Sequence, residues 1–106
     1  GESLLCQSQG QRTLNYFGSR FKREGLYLLD EPENALSPKR QVELKNIITE
    51  SYQNDGKTQF IIATHSPILM AEPSARLYNF DTVPISEIEY KDTDHFQVYK
   101  DFLNSV

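Results

Sequence analysis

The chain has 106 residues, of which 38% are hydrophobic and 25% charged, and its formal net charge is −4. This length allows one domain at most, and with this acidic balance nothing in the composition suggests a nucleic-acid or anionic-membrane partner. The single Cys6 excludes an intrachain disulfide, and no apolar run approaches the roughly 18 residues of a transmembrane span. We therefore expect a cytoplasmic domain with no membrane partner.

The first predicted element is a helix from about Gln11 to Lys22, with Ser8 before it as a candidate N-cap. Its apolar positions recur at helical spacing: Leu14, Phe17 and Phe21. Gly25 then separates the helix from the next element.

Four apolar residues from Leu26 to Leu29 run directly into Asp30, Glu31 and Pro32. An unbroken apolar run suits a strand that is buried on both faces, as in a parallel sheet. Pro32 has no backbone N–H to donate, so we expect the strand to stop there. Asp30 and Glu31 then lie at the carboxyl end, where open α/β sheets bind their ligands. Neighbours on an extended chain point in different directions, so one carboxylate can hold a cation while the other reaches a water.

The next segments predict a helix followed by a strand. Ser37-Pro38 is a typical helix start, and the helix runs to about Gln53. Its apolar face consists of Leu44, Ile47, Ile48 and Tyr52. Residues Gln59 to Thr64 predict a second buried strand, and the order strand, helix, strand predicts a right-handed parallel βαβ unit.

The remaining elements are shorter. Ser66-Pro67 predicts a short helix through Met70, and residues 77–80 and 85–90 predict two short strands, the second at a sheet edge. Asp92-Thr93 is expected to cap a final helix. One face of that helix carries Phe96, Tyr99, Phe102 and Leu103.

Gly56-Lys57-Thr58 has the ending of a P-loop, but the pattern needs another Gly five residues before Gly56, where Ser51 stands. A P-loop also joins a strand to a following helix, whereas here a helix precedes and a strand follows. Gly56 is better interpreted as the residue that ends the helix. The chain therefore contains no P-loop (Walker A) pattern.

Four motifs stand in a fixed order along the chain. Ser8-Gln9-Gly10-Gln11 opens the first helix, Asp30-Glu31-Pro32 ends the first strand, Ala35-Leu36-Ser37 follows it, and His65 comes directly after the second strand. Together they resemble the signature motif, Walker B strand, D-loop and H-switch of an ABC-type ATPase domain. The resemblance covers about residues 8–81.

Longer segments are also similar to soluble bacterial ATPases related to the ABC ATPases of DNA repair and chromosome structure. These segments are residues 26–41, 59–69 and 92–103. Two departures argue against the transporter class: Gln9 stands where Gly is usual in the signature, and Ser37 where Asp is usual in the D-loop.

The resemblance implies an α/β architecture: a partial P-loop NTPase (ABC-type) fold, with a parallel sheet core, flanking helices and a small edge strand pair. Residues 1–106 would form a single domain, the C-terminal portion of an ATP-binding domain whose Walker A half is missing. The chain would then be a fragment that is inactive alone. Its ligands would be ATP and Mg²⁺, and its partner a second copy bound head to tail across ATP. Nucleic acid stays open as a partner of the full-length protein.

By the same resemblance, Asp30 is the Mg²⁺ ligand, Glu31 polarises the attacking water, and His65 contacts the γ-phosphate. The nucleotide-binding residues would be Ser8, Gly10, Gln11 and Ser37. The first three lie at a helix N-terminus, whose N–H groups and dipole suit a phosphate.

Each residue also has an ordinary structural interpretation, with Ser8 and Ser37 as caps and His65 as a turn residue. One alternative function is a catalytically inactive module of the same fold that binds nucleotide or a partner. A weaker alternative is a metal-dependent hydrolase, which lacks the close ligand spacing of known metal motifs. Its ligands would be Asp30, Glu31, His65 and Asp81.

Overall fold

The computed structural model describes residues 9–106, which fall into two compact units divided after Thr64. The first unit consists of helix α1 (Gln9–Arg20), strand β1 (Leu26–Asp30), helix α2 (Pro38–Asp55) and strand β2 (Gln59–Ala63). The second consists of helix α3 (Pro67–Met70), strands β3 (Leu77–Asn79) and β4 (Ser86–Ile88), a 3-10 turn (Tyr90–Asp92) and helix α4 (Asp94–Asn104). The assignment of residues 1–106 to a single domain stays a prediction.

Strands β1 and β2 pair in parallel, with Leu26 opposite Gln59 and Asp30 opposite Ala63. The Glu31 N–H donates to the Ala63 carbonyl at 2.7 Å, so the pairing continues one residue beyond β1. A parallel pair requires a long crossover connection, which α2 supplies. The predicted parallel strand–helix–strand arrangement is therefore confirmed, and its carboxyl ends lie at one edge.

The two faces of this strand pair differ in exposure. Side chains alternate along each strand, so that Tyr27 and Leu29 are half-buried while Leu26 and Leu28 are 57% and 70% exposed. Ile61 of β2 is 62% exposed as well. The prediction that β1 is buried on both faces is therefore wrong in the described structure, because residues 9–106 cover only one of them.

An aromatic cluster joins the end of α1 to the covered face. The Phe21 ring lies 4.9 Å from the rings of both Tyr27 and Phe60, in edge-on geometry. Phe17 stacks on Phe21 at 5.2 Å, and Phe21 itself is 4% exposed. Ser51 of α2 donates a hydrogen bond of 2.8 Å to the Phe21 carbonyl. These contacts fix both helices against one side of the sheet.

Helix α1 runs from Gln9 to Arg20, two residues earlier at each end than the sequence predicted. Helix ends depend on weak terminal hydrogen bonds, which periodicity does not resolve. Ser8 lies outside the described residues, as do the predictions that it caps the helix and binds nucleotide.

Both predicted ends of α2 have a clear structural cause. The Ser37 hydroxyl accepts from the Arg40 N–H at 3.3 Å, and Pro38 takes the first helical position. Gly56 has φ 64° and donates its N–H to the Tyr52 carbonyl, which ends the helix. The role predicted for Gly56 is confirmed, and so is the helix-before-strand order that argued against a P-loop.

The second unit is built on local contacts. β3 and β4 pair antiparallel, with Leu77 opposite Ile88, and β4 is shorter than predicted because the chain turns at Tyr90–Asp92. Thr93 caps α4 by accepting from the Phe96 N–H at 3.1 Å. The predicted apolar face of α4 is largely exposed. None of the helices in residues 9–106 is long and apolar enough to cross a bilayer.

Candidate functional site

The acidic pair lies at the carboxyl edge of the parallel strands. Asp30 is the last residue of β1 and is exposed, while Glu31 is half-buried. Glu31 has φ 48°, so the backbone leaves the extended path there rather than at Pro32 as the sequence predicted. A left-handed conformation outside glycine costs about 1–3 kcal/mol, and such residues cluster at functional sites. Glu31 is therefore held in an unusual backbone geometry at the edge where ligands bind in this class of fold.

A compact turn connects this edge to α2. The Asn34 N–H donates to the Glu31 carbonyl at 3.1 Å, and the Leu36 N–H donates to the Glu33 carbonyl at 2.9 Å. Ala35 also has a left-handed φ, of 66°, and Leu36 is 7% exposed. The turn is thus internally bonded and anchored by a buried leucine, and it delivers Ser37 to the start of α2.

A hydrogen bond between Thr64 and Glu33 joins the two segments that leave the strands. The Thr64 hydroxyl donates to Glu33 Oε1 at 2.6 Å. Hydrogen bonds to a carboxylate are shorter and stronger than neutral ones. Neither residue was predicted to belong to the site. The available signal was their place in the chain, because Thr64 directly follows β2 and Glu33 lies three residues after the end of β1.

The beginning of α1 packs against the same turn. Gly10 is buried, and a Cβ added to it would lie 2.9 Å from Arg40 Cδ and 3.3 Å from the Ala35 carbonyl oxygen. Arg40 Nη1 donates to Gln11 Oε1 at 2.6 Å. The structure thus brings Gly10 and Gln11 together with the segment that leads to Ser37. Arg40, which makes the connection, was missed because its partner lies 29 positions away in the chain.

His65 belongs to the second unit and follows β2 by two residues in the chain. Its side chain is exposed, and its ring stacks on that of His95 with a centroid separation of 5.4 Å. The neighbouring Ser66 caps α3 by accepting from the Leu69 N–H at 3.2 Å. The prediction that His65 acts together with Asp30 and Glu31 stays a prediction.

Among residues 9–106, no three His, Cys, Asp or Glu side chains form a group that could hold a metal ion. The metal-dependent hydrolase therefore has no donor set within the described part of the chain. Mg²⁺ requires fewer protein ligands, because it keeps several waters and commonly uses one or two carboxylates together with substrate phosphates. The exposed carboxylate of Asp30 at a strand end fits that requirement.

A family model matches residues 3–71, and its description is an AbiEii toxin-like AAA domain of type IV toxin–antitoxin (TA) systems. The match extends over well over half of the chain. The chain belongs to this AAA-domain family. No curated protein matches the chain.

Within the AAA domain, the matched span contains α1, both parallel strands, α2 and α3, and with them all seven predicted site residues. The site residues inside it are Ser8, Gly10, Gln11, Asp30, Glu31, Ser37 and His65. Strands β3 and β4 and helix α4 follow it. Membership assigns the chain to the AAA-type P-loop NTPases and indicates a nucleotide-binding, ATPase-like function. The small parallel sheet and its flanking helices agree with that assignment.

Proposed function

We propose that this AAA domain carries the signature, Walker B, D-loop and H-switch parts of an ABC-type ATPase, which hydrolyses ATP with Mg²⁺ in a head-to-tail dimer. The observation that carries the proposal is the position of Asp30 and Glu31. Asp30 is the last residue of β1 and Glu31 follows it, and the end of β1 is level with the end of the parallel strand β2. Ligands of open α/β sheets bind outside the carboxyl ends of the strands.

Asp30 and Glu31 then divide the chemistry between them. Asp30 is the Mg²⁺ ligand, and the bound ion supplies positive charge that offsets the negative charge of the phosphates. Glu31 accepts a proton from the water that attacks the γ-phosphate. A general base must lie within hydrogen-bond reach of its water, and Glu31 is half-buried directly after the end of β1, at the edge where ligands of open α/β sheets bind.

The start of α1 and the turn before α2 serve the nucleotide of a second copy. Gly10 and Gln11 offer backbone N–H groups at a helix N-terminus, with Ser8 before them in the sequence. The Arg40–Gln11 hydrogen bond supports this role because it ties the helix start to the turn that ends at Ser37. His65 contacts the γ-phosphate and responds to its release.

These 106 residues contain no P-loop pattern. Catalysis by this site therefore needs a phosphate-binding loop from a segment outside them, and we expect the 106-residue chain alone to bind ATP weakly and to hydrolyse essentially none. The alternative of an inactive binding module predicts no turnover even when that loop is present.

The test measures phosphate release by the protein that contains this chain together with its P-loop segment. The wild type is compared with Glu31→Gln and with Glu24→Gln, a matched control on an exposed carboxylate before β1. We expect Glu31→Gln to lose activity about 10²–10⁴-fold, the usual contribution of a general base, while keeping bound ATP and a stable dimer. Equal rates of phosphate release by the wild type and Glu31→Gln would disprove the general-base role. No phosphate release by the wild type would favour the inactive module.

The family description suggests the process that turnover serves. We propose that the ATP cycle drives the activity of a toxin-like component in a type IV TA system. Growth of cells that express the intact protein or its Glu31→Gln variant tests this. We expect growth inhibition by the wild type to disappear in the variant, and equal inhibition by both would contradict the link to turnover.

A further inference from the structure

Two histidines of the second unit face each other, and the sequence contains no others. His65 Nδ1 lies 3.2 Å from His95 Nε2, and the two rings are inclined by 29°. That separation is a hydrogen bond, so one nitrogen donates and the other accepts. The pair joins the residue proposed to contact the γ-phosphate with a helix that the proposed chemistry does not otherwise use.

The position of His95 is set by surrounding contacts. It lies in the first turn of α4, which begins at the Thr93 cap. Tyr90 packs its ring against Phe96 at 4.9 Å, and its hydroxyl donates to the Pro67 carbonyl at 2.7 Å. The start of α4 is therefore tied to a residue that follows His65 by only two positions. Such bracing allows the two imidazoles to hold a fixed mutual orientation.

The direction of the hydrogen bond decides what His65 can do for a phosphate. In a neutral imidazole one ring nitrogen carries the proton and the other accepts. If His65 Nδ1 accepts from His95, the His65 proton must be on Nε2, where it can be donated to a phosphate oxygen. If His65 Nδ1 donates instead, Nε2 carries a lone pair and faces a phosphate unfavourably. Only the first arrangement suits a γ-phosphate contact.

We propose that His95 is a positioning residue: its Nε2–H donates to His65 Nδ1 and holds His65 in the tautomer that carries its proton on Nε2. The hydrogen bond also fixes the orientation of the ring, as partners of metal-binding histidines do through the second nitrogen. The choice of tautomer and the phosphate as ligand rest on the proposed function, whereas the hydrogen-bonded pair of imidazoles does not.

The test is a long-range ¹H–¹⁵N NMR spectrum of the side chains of the 106-residue chain, which needs no ATP. The spectrum is recorded in a mildly alkaline buffer with a chelator, which removes stray metal ions. Since there are only two imidazoles, substitution of either one assigns the spectrum. The variants are His95→Phe, which keeps a ring but has no donor, and His95→Gln, whose amide can donate. Val98→Ala, at an exposed position of α4, is the matched control.

In the wild type and in Val98→Ala, we expect protonated Nε2 on both histidines and an unprotonated Nδ1 on His65. In His95→Phe this single pattern should be lost, and His65 should show the tautomer mixture of an isolated imidazole. His95→Gln should restore the wild-type pattern at His65. A protonated His65 Nδ1 in the wild type, or His65 signals that are the same in wild type and His95→Phe, would overturn the proposal.

A second measurement separates this proposal from the proposed function. Phosphate release is compared for wild type, His95→Phe and His95→Gln in the protein that includes the P-loop segment. We expect a loss of turnover in His95→Phe, with recovery in His95→Gln. If the NMR pattern follows the prediction but no variant of His65 or His95 changes turnover, the histidine pair stands and the phosphate role of His65 falls.

Discussion

The two units of the chain are stabilised in different ways. The described part of the first unit buries five large apolar side chains: Leu14, Phe21, Leu36, Leu44 and Ile48. Among the described residues of the second unit only Leu69 is comparably buried, and its buried polar residues Ser66 and Thr93 are helix caps. The acidic edge is thus positioned by a packed core, whereas the histidine pair is positioned by caps and hydrogen bonds. Substitutions should therefore act through different mechanisms in the two units.

The largest effect is expected from truncation in the core of the first unit. Phe21→Ala removes the centre of the aromatic cluster and should lower the free energy of unfolding by about 3–5 kcal/mol. The matched truncation in the second unit is Phe102→Ala on α4, where the ring is 62% exposed. We expect that change to stay within about 0.5 kcal/mol. Urea denaturation of both variants checks the contrast, and equal losses would show that the units do not differ as described.

The next largest loss of stability is expected from a substitution at the close contact between α1 and Arg40. Gly10→Ala places a methyl group 2.9 Å from Arg40 Cδ, and overpacking of this kind costs about 1–3 kcal/mol. Arg40→Ala in the same chain should relieve part of that cost, so that the double variant is more stable than additivity predicts. A double-mutant cycle on urea midpoints measures the coupling. Strict additivity would mean that the two residues do not constrain each other.

A smaller change in the free energy of unfolding is expected from the turn before α2, and there a substitution can stabilise the protein. Ala35 has φ 66°, a conformation that costs a residue with a Cβ about 1–2 kcal/mol. Ala35→Gly should therefore stabilise the first unit by up to about 1 kcal/mol after the added entropy of the unfolded chain is subtracted. The reverse change, Gly56→Ala at φ 64°, should destabilise it by about 1 kcal/mol. Thermal unfolding of both tests the sign, and destabilisation by Ala35→Gly would contradict the expected strain.

A change in stability of similar size is expected at Tyr90 in the second unit. Tyr90→Phe removes the hydrogen bond to the Pro67 carbonyl and should cost about 1 kcal/mol. Desolvation by burial raises the pKa of Tyr90 above its usual value of 10.0. The folded state then holds this proton more tightly than the unfolded state, so stability should fall as pH rises above 10.0 and through the raised pKa. Unfolding of wild type and Tyr90→Phe across that range measures the difference, which should shrink with rising pH.

The sequence was informative wherever a local pattern determines structure. The caps at Ser37 and Ser66, the stop at Gly56 and the parallel strand pair follow from turn chemistry and apolar runs, and all were predicted. The exposed face of β1 was not predicted, since composition does not reveal what covers a strand.

Other features of the site depend on the folded chain. No local residue pattern predicts the left-handed backbone at Glu31. The Glu33–Thr64 and Gln11–Arg40 hydrogen bonds join residues about thirty positions apart, and periodicity contains no information about such partners. The matched family agrees with the predicted ATPase class, while the ABC-type assignment, the dimer and the individual site residues stay predictions.

The most direct test of the central claim is a single-turnover measurement on the protein that includes the P-loop segment. ATP is bound at substoichiometric concentration, and its conversion to ADP is followed in wild type and Glu31→Gln, with Mg²⁺ present throughout. We predict that the wild type converts its bound ATP and that Glu31→Gln retains it unhydrolysed. Conversion at the same rate in both proteins would contradict the assignment of Glu31 as the base at the carboxyl edge of the sheet.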